Sequence, residues 1–512
     1  MGNKFLFFKQ NSYDKDIIKS EKFIPLLINY KKSEIILYPS MFIPYYKNSN
    51  PFDYYDNLED INYGSTGRII KVLNKKTKKI YALKSIDLEN EYYTINDAYK
   101  EVLIMKKLDH PNIIKLYEYY IIEKKTFNII IEYIKDGELF EKLSKKNHFN
   151  EDETFKIMNQ LFSSIKFLHD NGIIHRDIKP ENIMLMDEKN LNIKLIDFGS
   201  CEIINNNKAK RKIGTPSYIS PEILNGFEYD YKCDIWSLGI LMYFLLSGST
   251  PFNGNNQNEI YYKIKHENFN FDSINFNNVS NEAKNLIKSM LVKDQDKRIN
   301  INQVLDSDWV KKYYIKKDIQ KNFIVSEDFD KNVAFKLKNF NINNKIQLAY
   351  LCYLFHSKID FDNEDIKKLL KIFYSIDSNN DCRLSQNDID NFLKKYYPDE
   401  NNLISNKLFS IFNDTNNINK EISFEIFGLL NMNISDYINS ENIQKVFKIF
   451  DINKIGKISI NSIKKIFDPY DEINDENIWN KLFENINISN DNSLSFSIFS
   501  NYVNQLLKDE LI

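Results

Sequence analysis

Two polar motifs near the middle of this chain constrain its fold more than any other feature. The run from His175 to Asn182 is His-Arg-Asp-Ile-Lys-Pro-Glu-Asn, and residues 197–199 are Asp-Phe-Gly. Asp177, Asn182 and Asp197 supply the carboxylate and amide oxygens that orient a hydroxyl group and hold magnesium beside a phosphate. An isolated Asp-Phe-Gly is expected by chance in a chain rich in Lys and Asp, whereas both motifs in this order predict a phosphoryl-transfer site.

The residues before these motifs predict a small sheet with a nucleotide-binding turn. β-branched and aromatic runs favour strands at 68–73, 80–86 and 127–133, and a helix is predicted at 97–108. Gly64 and Gly67 frame a turn whose backbone N–H groups would approach phosphates closely, and Asn62 stands where the phosphate-loop pattern has its first glycine. Lys84, on the second strand, is placed to contact the α- and β-phosphates, with Glu101 of the helix as its ion-pair partner.

An apolar slot for adenine is predicted beside this lysine. The strand that ends near Glu132 continues to Ile134, and this segment is expected to meet the edge of the base. Three apolar residues are expected to line the slot, although each is equally compatible with an ordinary core position: Ile69, Ala82 and Met184.

Together these motifs resemble the active site of the protein kinases. The resemblance implies that Asp177 orients the substrate hydroxyl or accepts its proton and that Lys179 contacts the γ-phosphate of ATP. It also implies that Asn182 and Asp197 hold magnesium. Lys179 and the sequence Gly-Thr-Pro-Ser-Tyr at 214–218 are similar to serine/threonine kinases rather than tyrosine kinases.

The same resemblance implies roles for residues outside the two motifs. Glu222, in Ser-Pro-Glu, is the expected ion-pair partner of Arg298. Glu138, which is also placed beside the cofactor, and Glu181 resemble the acidic pair with which calmodulin-dependent kinases prefer a basic residue upstream of the phosphorylated hydroxyl. Arg211 stands where loop-phosphorylated kinases have a threonine, so we expect activity to be controlled from elsewhere in the chain.

The last third of the chain contains helix-like segments separated by Asn/Asp/Ser clusters, which recur about every 36 to 38 residues. The first cluster resembles an EF-hand calcium loop. Cys382 replaces the glycine of that loop, and an aspartate replaces its bidentate glutamate, so calcium binding should be weakened or shifted toward magnesium. The expected ligands are the side chains of Asp377, Asn379, Asp381 and Asp388 and the backbone of Arg383.

Three further loops, starting at 415, 451 and 487, keep the repeat spacing but lose most ligands. Ile422, Ile458 and Leu494 occupy their eighth positions and are predicted to pair neighbouring loops without metal. A kinase followed by four such units resembles the calcium-dependent protein kinase family over residues 56–505. In that family the junction, here 335–355, blocks the catalytic cleft until calcium rearranges the EF-hands. A helix packed in its own domain is the alternative.

The predicted fold is α+β, with a bilobal protein-kinase fold followed by an all-α domain of four EF-hand-like helix-loop-helix units. The predicted boundaries are 1–55 for an N-terminal extension, 56–313 for the kinase domain, 314–360 for the junction and 361–512 for the EF-hand domain.

Composition limits the partners and the location. A formal charge of −2, from 69 basic and 71 acidic residues, gives no argument for nucleic-acid binding, and protein substrates are the expected partners. The 4 cysteines form no CxxC pair and fit a reducing compartment. No stretch is apolar enough to span a membrane, so a cytoplasmic protein is expected. Gly2 permits N-myristoylation, which alone gives weak membrane contact.

Three functions remain open on this sequence. The first is a serine/threonine kinase that uses ATP and Mg²⁺ and is activated by Ca²⁺. The second is a kinase whose EF-hand region is a calcium-insensitive scaffold. The third is a pseudokinase that acts as a binding protein, which is disfavoured because the residues for phosphoryl transfer are all present.

Overall fold

The computed structural model describes most of the chain from residue 45 onward. The described residues are 45–47, 49–63, 67–88, 94–122, 125–204, 208–319, 327–342, 345–358, 363–379, 381–412, 421–433, 435, 438–451, 454–462 and 493–509. Gly2, Gly64 and parts of the loops predicted from 415 and 487 lie outside this set.

A six-stranded sheet forms the first lobe. The strands are β1 (Tyr45–Lys47), β2 (Tyr55–Tyr63), β3 (Arg68–Asn74), β4 (Ile80–Asp87), β5 (Leu116–Ile122) and β6 (Thr126–Glu132), in the spatial order β1-β5-β6-β4-β3-β2. Helix α1 (Ile95–Met105) begins at a capping box formed by Thr94 and Asp97, and its buried face includes Val102. The predicted strands and helix are confirmed, with their ends displaced by a turn or less.

Strand β1 lies in the segment predicted to be an extension. Tyr45 and Tyr46 pair in parallel with Tyr119 and Tyr120 of β5, so the sheet begins before residue 55. This strand was not predicted, because a three-residue strand gives no periodic signal in the sequence.

Helices dominate the second lobe. They are α2 (Leu139–Lys146), α3 (Glu151–Asp170), α4 (Pro221–Leu224), α5 (Lys232–Ser247), α6 (Gln257–His266), α7 (Asn281–Met290), α8 (Ile301–Leu305) and α9 (Asp308–Ile319). Two antiparallel strand pairs flank the polar motifs, namely β7 (Ile173–Ile174) with β10 (Glu202–Ile203) and β8 (Ile183–Asp187) with β9 (Asn192–Leu195). Helix α5 is buried along almost its whole length, which explains its lack of a polar face.

The predicted ion pair between Glu222 and Arg298 is confirmed inside the second lobe. The guanidinium donates to both carboxylate oxygens at 2.7 and 2.9 Å, and the two side chains are 3% and 0% exposed. The same guanidinium donates to the carbonyls of Val292 and Lys232 and lies 5.1 Å from the ring centroid of Trp236. These contacts compensate the charge of Arg298 in a place that excludes water.

The third part of the chain is a helical domain with its own core. Its helices are α10 (Glu327–Asn339), α11 (Lys345–Lys358), α12 (Glu364–Ile376), α13 (Gln386–Lys394), α14 (Asn401–Phe412), α15 (Phe424–Leu430), α16 (Ser440–Phe450) and α17 (Phe496–Asp509). Strands β11 (Leu384–Ser385) and β12 (Glu421–Ile422) pair, as do β13 (Lys457–Ser459) and β14 (Ser493–Ser495). Leu384 lies opposite Ile422 and Ile458 opposite Leu494, so neighbouring loops pair as predicted.

The junction segment belongs to this helical domain. Leu348, Leu351 and Phe355 of α11 are buried in the core of the helical domain. This packing agrees with the second interpretation of the junction, a helix packed in its own domain, and not with a segment that blocks the catalytic cleft. Helix α9 continues to Ile319, so the predicted boundary at 313 falls within a helix. Across the described ranges, no helix is both long enough and apolar enough to cross a bilayer.

We predict that Arg298→Met lowers the free energy of unfolding of the kinase lobes by about 3–5 kcal/mol, because it leaves the Glu222 carboxylate buried without its partner. Urea unfolding followed by tryptophan fluorescence measures the change. Lys297→Ala is the matched control, since the Lys297 side chain is 80% exposed and its loss should cost little. Equal stability of R298M and the wild type would contradict the role given to the pair.

Candidate active site

A buried ammonium group joins three elements between the two lobes. Lys84 Nζ on β4 lies 2.7 Å from Glu101 Oε1 on α1 and 3.5 Å from Asp197 Oδ1 in the second motif. Burial opposes the charged form of Lys84, but the two carboxylates outweigh it and raise the lysine pKa. Burial likewise favours neutral Asp197, but Lys84 lowers the pKa of that carboxyl. The predicted ion pair between Lys84 and Glu101 is present, and the lowered pKa favours the ionised form of Asp197, which its predicted magnesium role requires.

The loop of the first motif is held in an unusual backbone conformation by Asp234 of α5. Arg176 has a φ of 70° and Asp197 a φ of 64°, both in the left-handed region that side chains other than glycine rarely adopt. The buried Asp234 carboxylate accepts the backbone N–H groups of His175 and Arg176 at 2.9 and 2.8 Å. The ring of His169 lies 2.9 Å from the same carboxylate. These contacts compensate the strain in the loop.

The groups predicted to perform phosphoryl transfer lie together around Asp177. Lys179 Nζ is 2.7 Å from Asp177 Oδ2, and Asn182 Nδ2 donates to that oxygen at 3.0 Å. Thr215 Oγ1 donates to Asp177 Oδ1 at 2.6 Å and accepts from Lys179 at 2.9 Å. Both oxygens of the Asp177 carboxylate are thus oriented by neighbours, as a group that accepts a hydroxyl proton would need to be.

The residues predicted to line a nucleotide slot differ in their burial. Ala82 and Ile134 are buried, and Ile69 and Met184 are partly buried. Asn62 lies in the extended strand β2, so its position does not require a glycine. Ile69, Ala82 and Met184 lie on β3, β4 and β8, and Ile134 follows β6, so their role around a nucleotide stays a prediction.

Two details of the slot depend on contacts across the sheet. A Cβ on Gly67 would lie 2.2 Å from the backbone oxygen of Ser85, so this glycine is required for the close approach of two strands. The Glu132 carboxylate forms a buried ion pair with Lys194 at 2.8 Å. Only the backbone of Glu132 is therefore available to a nucleotide.

Two carboxyl groups lie close together beside this site. The backbone of Glu138 forms an isolated antiparallel β-bridge with Met184. The pKa of the Glu138 carboxyl is raised, first by burial and then by the negative charges of Glu141 and Glu181. Burial also raises the pKa of Glu181, one of whose carboxylate oxygens is buried without a hydrogen-bond partner among the described residues. Such a pair would be stabilised by a cation.

The residues predicted to bind calcium form a closed loop. Asp377 accepts the backbone N–H groups of Asp381 at 3.3 Å and Cys382 at 2.8 Å. Cys382 has a φ of 60°, so it adopts the conformation for which the EF-hand loop normally uses glycine. Asp388 accepts from the backbones of Ser378 and Ser385. In the part of the chain that is described, no group of three or more His, Cys, Asp or Glu residues is arranged as a metal site.

Burial and repulsion shape the charge state of this loop. Burial first, and then the neighbouring Asp381, raise the pKa of Asp377 to about 8. The loop also contacts the kinase lobe. The Arg383 guanidinium lies 4.6 Å from the ring centroid of Phe167 on α3, and the Cys382 thiol is hydrogen-bonded with Ser163 of the same helix.

A second contact joins the helical domain to the segment between α1 and β5. Lys115 Nζ is 2.6 Å from Glu425 Oε1 on α15, and the two side chains are 6% and 7% exposed. Ser423 donates to the buried carboxylate of Asp109. Tyr374 of α12 donates to Asn112 Oδ1 at 3.4 Å. The helical domain thus packs on the connection that follows α1. Sequence analysis did not identify these partners, because each pair is far apart in the chain.

Comparison with known proteins agrees with this geometry. A model of the protein kinase domain matches residues 55–310, and the chain belongs to the protein kinase family. It is 40% identical over 334 residues to calcium-dependent protein kinase 5 of Plasmodium falciparum (isolate 3D7), an alignment that covers 65% of this chain and 57% of the relative. Calcium-dependent protein kinase 4 of the same isolate is 35% identical over 360 residues, covering 69% of this chain and 66% of the relative.

Each of these relatives carries the name calcium-dependent protein kinase. The corresponding kinase 5 of Plasmodium berghei (strain Anka) is also 40% identical, with 58% of its length covered. The chain spans less than two thirds of the length of these first relatives.

Proposed function

We propose that this chain is a serine/threonine protein kinase that transfers the γ-phosphate of ATP to protein hydroxyl groups. The observation that supports this most is the assembled constellation around Asp177, with Lys179, Asn182 and Thr215 all within 3.0 Å of its carboxylate or of one another. Asp197 and Asn182 offer the one or two protein ligands with which Mg²⁺ is usually held beside nucleotide phosphates.

Magnesium would shield the phosphate charge, and the chain's own residues would do the rest. The Lys84 ammonium, oriented by Glu101, would contact the phosphates, and Lys179 would approach the γ-phosphate. Asp177 would orient the attacking hydroxyl and accept its proton. This division of roles disfavours the pseudokinase, because no charged group of the constellation is missing.

We further propose that the helical domain makes the activity calcium-dependent. The loop from Asp377 to Asp388 contacts α3 of the kinase lobe through Cys382 and Arg383, so a change in the loop is transmitted directly to the catalytic half of the molecule. Calcium requires the ligand carboxylates to be ionised, and it would relieve the repulsion between Asp377 and Asp381. One loop with most of its ligands predicts a graded response rather than a steep cooperative one.

Phosphate transfer from ATP to a serine-containing basic peptide, measured with calcium and with chelator, tests both proposals. We predict that calcium raises the initial rate and that Asp177→Asn lowers kcat by about 10²–10⁴-fold, as expected for the loss of a general base. Asp377→Asn should keep the chelator rate and lose the calcium response. Asp365→Asn is the matched control, since that side chain is 72% exposed and its ion pair among the described residues is the local one with Lys368.

The outcomes of this assay distinguish the three functions from one another. Equal rates in calcium and chelator for an active wild type would identify the helical domain as a calcium-insensitive scaffold. Transfer by the wild type no faster than by D177N would identify a pseudokinase.

We also propose that substrates carry a basic residue near the phosphorylated hydroxyl. Glu181 lies close enough to Glu138 to raise the pKa of the Glu138 carboxyl, and Glu181 has a buried carboxylate oxygen without a hydrogen-bond partner among the described residues. A charge-assisted hydrogen bond to such a group is stronger than one between neutral partners.

This acidic pair predicts a pH-dependent peptide preference. Because both pKa values are raised, both carboxylates are ionised at high pH and become neutral as pH falls, at a higher pH than an ordinary glutamate. KM for an arginine peptide should therefore begin to rise, as pH is lowered, above the pH at which an ordinary glutamate becomes neutral, while KM for its neutral counterpart stays flat. Glu181→Gln should raise KM for the arginine peptide about tenfold at high pH. An unchanged ratio of the two KM values would contradict the preference.

A further inference from the structure

The arginine of the first motif lies in a closed polar site beside the catalytic loop. The Arg176 side chain is only 2% exposed. Its Nε donates to the carbonyl of Ser200 at 2.6 Å, and its NH2 donates to the carbonyl of Cys201 at 3.3 Å. Its NH1 contacts the Tyr229 hydroxyl at 3.2 Å. Carbonyl and hydroxyl dipoles alone leave the charge of a buried guanidinium without a counterion.

Glu202 supplies that counterion. Its Oε2 lies 2.8 Å from Arg176 NH1 and 3.3 Å from Lys100 Nζ, so one carboxylate oxygen bridges the catalytic loop and helix α1. Its backbone pairs with Ile174, the residue just before the first motif, in the β7–β10 ribbon. The carboxylate is thus attached to a fixed strand.

In kinases that are switched by phosphorylation, a phosphate on the activation segment orders that segment by pairing with arginine. This chain has Arg211 at the expected position, and Arg211 is exposed and offers no hydroxyl to modify. Its backbone carbonyl instead accepts from the Tyr229 hydroxyl at 2.5 Å. An anion for Arg176 must therefore come from a residue of the chain.

We propose that Glu202 is a permanent substitute for an activating phosphate and a positioning residue for phosphoryl transfer. Glu202 contacts Lys100, and the next residue, Glu101, orients Lys84 at the phosphates. Glu202 also contacts Arg176, and the next residue, Asp177, accepts the hydroxyl proton. Both halves of the site are thereby fixed without modification of the chain. The proposal rests on the kinase activity proposed above.

Steady-state kinetics and nucleotide binding by the full chain test this role. Glu202→Gln should lower kcat about tenfold and raise both KM and Kd for MgATP, because loss of a charge-assisted pair loosens α1. KM for the peptide should stay unchanged, which a general loss of structure would not produce. Glu202→Asp keeps the charge on a shorter side chain and should recover part of the loss. Removal of any phosphate by a phosphatase should leave wild-type activity intact.

Two further variants make the test independent of any one substitution. Lys100→Met, on the partly exposed surface of α1, should also raise Kd for MgATP. When it is combined with E202Q, the two changes in binding free energy should be less than additive, because both variants remove the same contact. Glu228→Gln is the matched control, because Glu228 pairs with Lys210 at 2.6 Å in the same region but contacts neither α1 nor the first motif in any described ion pair. It should leave kcat and Kd unchanged.

An unchanged kcat and Kd in E202Q, or a strong loss of wild-type activity on phosphatase treatment, would overturn the proposal. If E202Q does not fold, an unchanged Kd in K100M overturns it equally. Since Kd is measured without turnover, a failure of this inference is distinguishable from an absence of kinase activity.

Discussion

The ammonium group of Lys84 is the constraint on which the arrangement of the two lobes depends. It is buried, so it must be compensated, and the two carboxylates that compensate it belong to α1 and to the segment after β9. The contact between Glu101 and Lys84 therefore ties helix α1 to the nucleotide-binding lysine. The neighbouring Lys100 contacts Glu202, so α1 is tied at adjacent residues to the nucleotide site and to the catalytic loop.

The other end of α1 leads to the helical domain. The connection between α1 and β5 contains Asp109, Asn112 and Lys115, which contact two helices of that domain, α12 and α15 with its N-cap Ser423. The Lys115–Glu425 pair is costly to separate, because each charge would remain partly buried without a partner. The helical domain is therefore docked against the connection that directly follows α1, the helix that carries Glu101, and this contact would give the proposed calcium response a physical route to the site.

The sequence predicts the parts of this site that are local and cannot predict the parts that are long-range. Lys84, Asp177, Asn182 and Asp197 follow from fixed spacings and conformations within short motifs. The Asp234 anchor joins residues far apart in the chain, and the same holds for the partners of Glu202. The packing of α11 was left open because an amphipathic stripe fits a cleft and a domain core equally well. Strand β1 is too short for any pattern.

The coupling through α1 is tested most directly by hydrogen–deuterium exchange in the full chain carrying Lys115→Met. The account predicts faster backbone exchange at residues 421–430, where the helical domain docks, and also along Ile95–Met105 of α1, because the docked domain restrains that helix. Faster exchange at 421–430 with unchanged exchange in α1 would contradict it, since the helical domain could then leave without affecting the element that orients the phosphates.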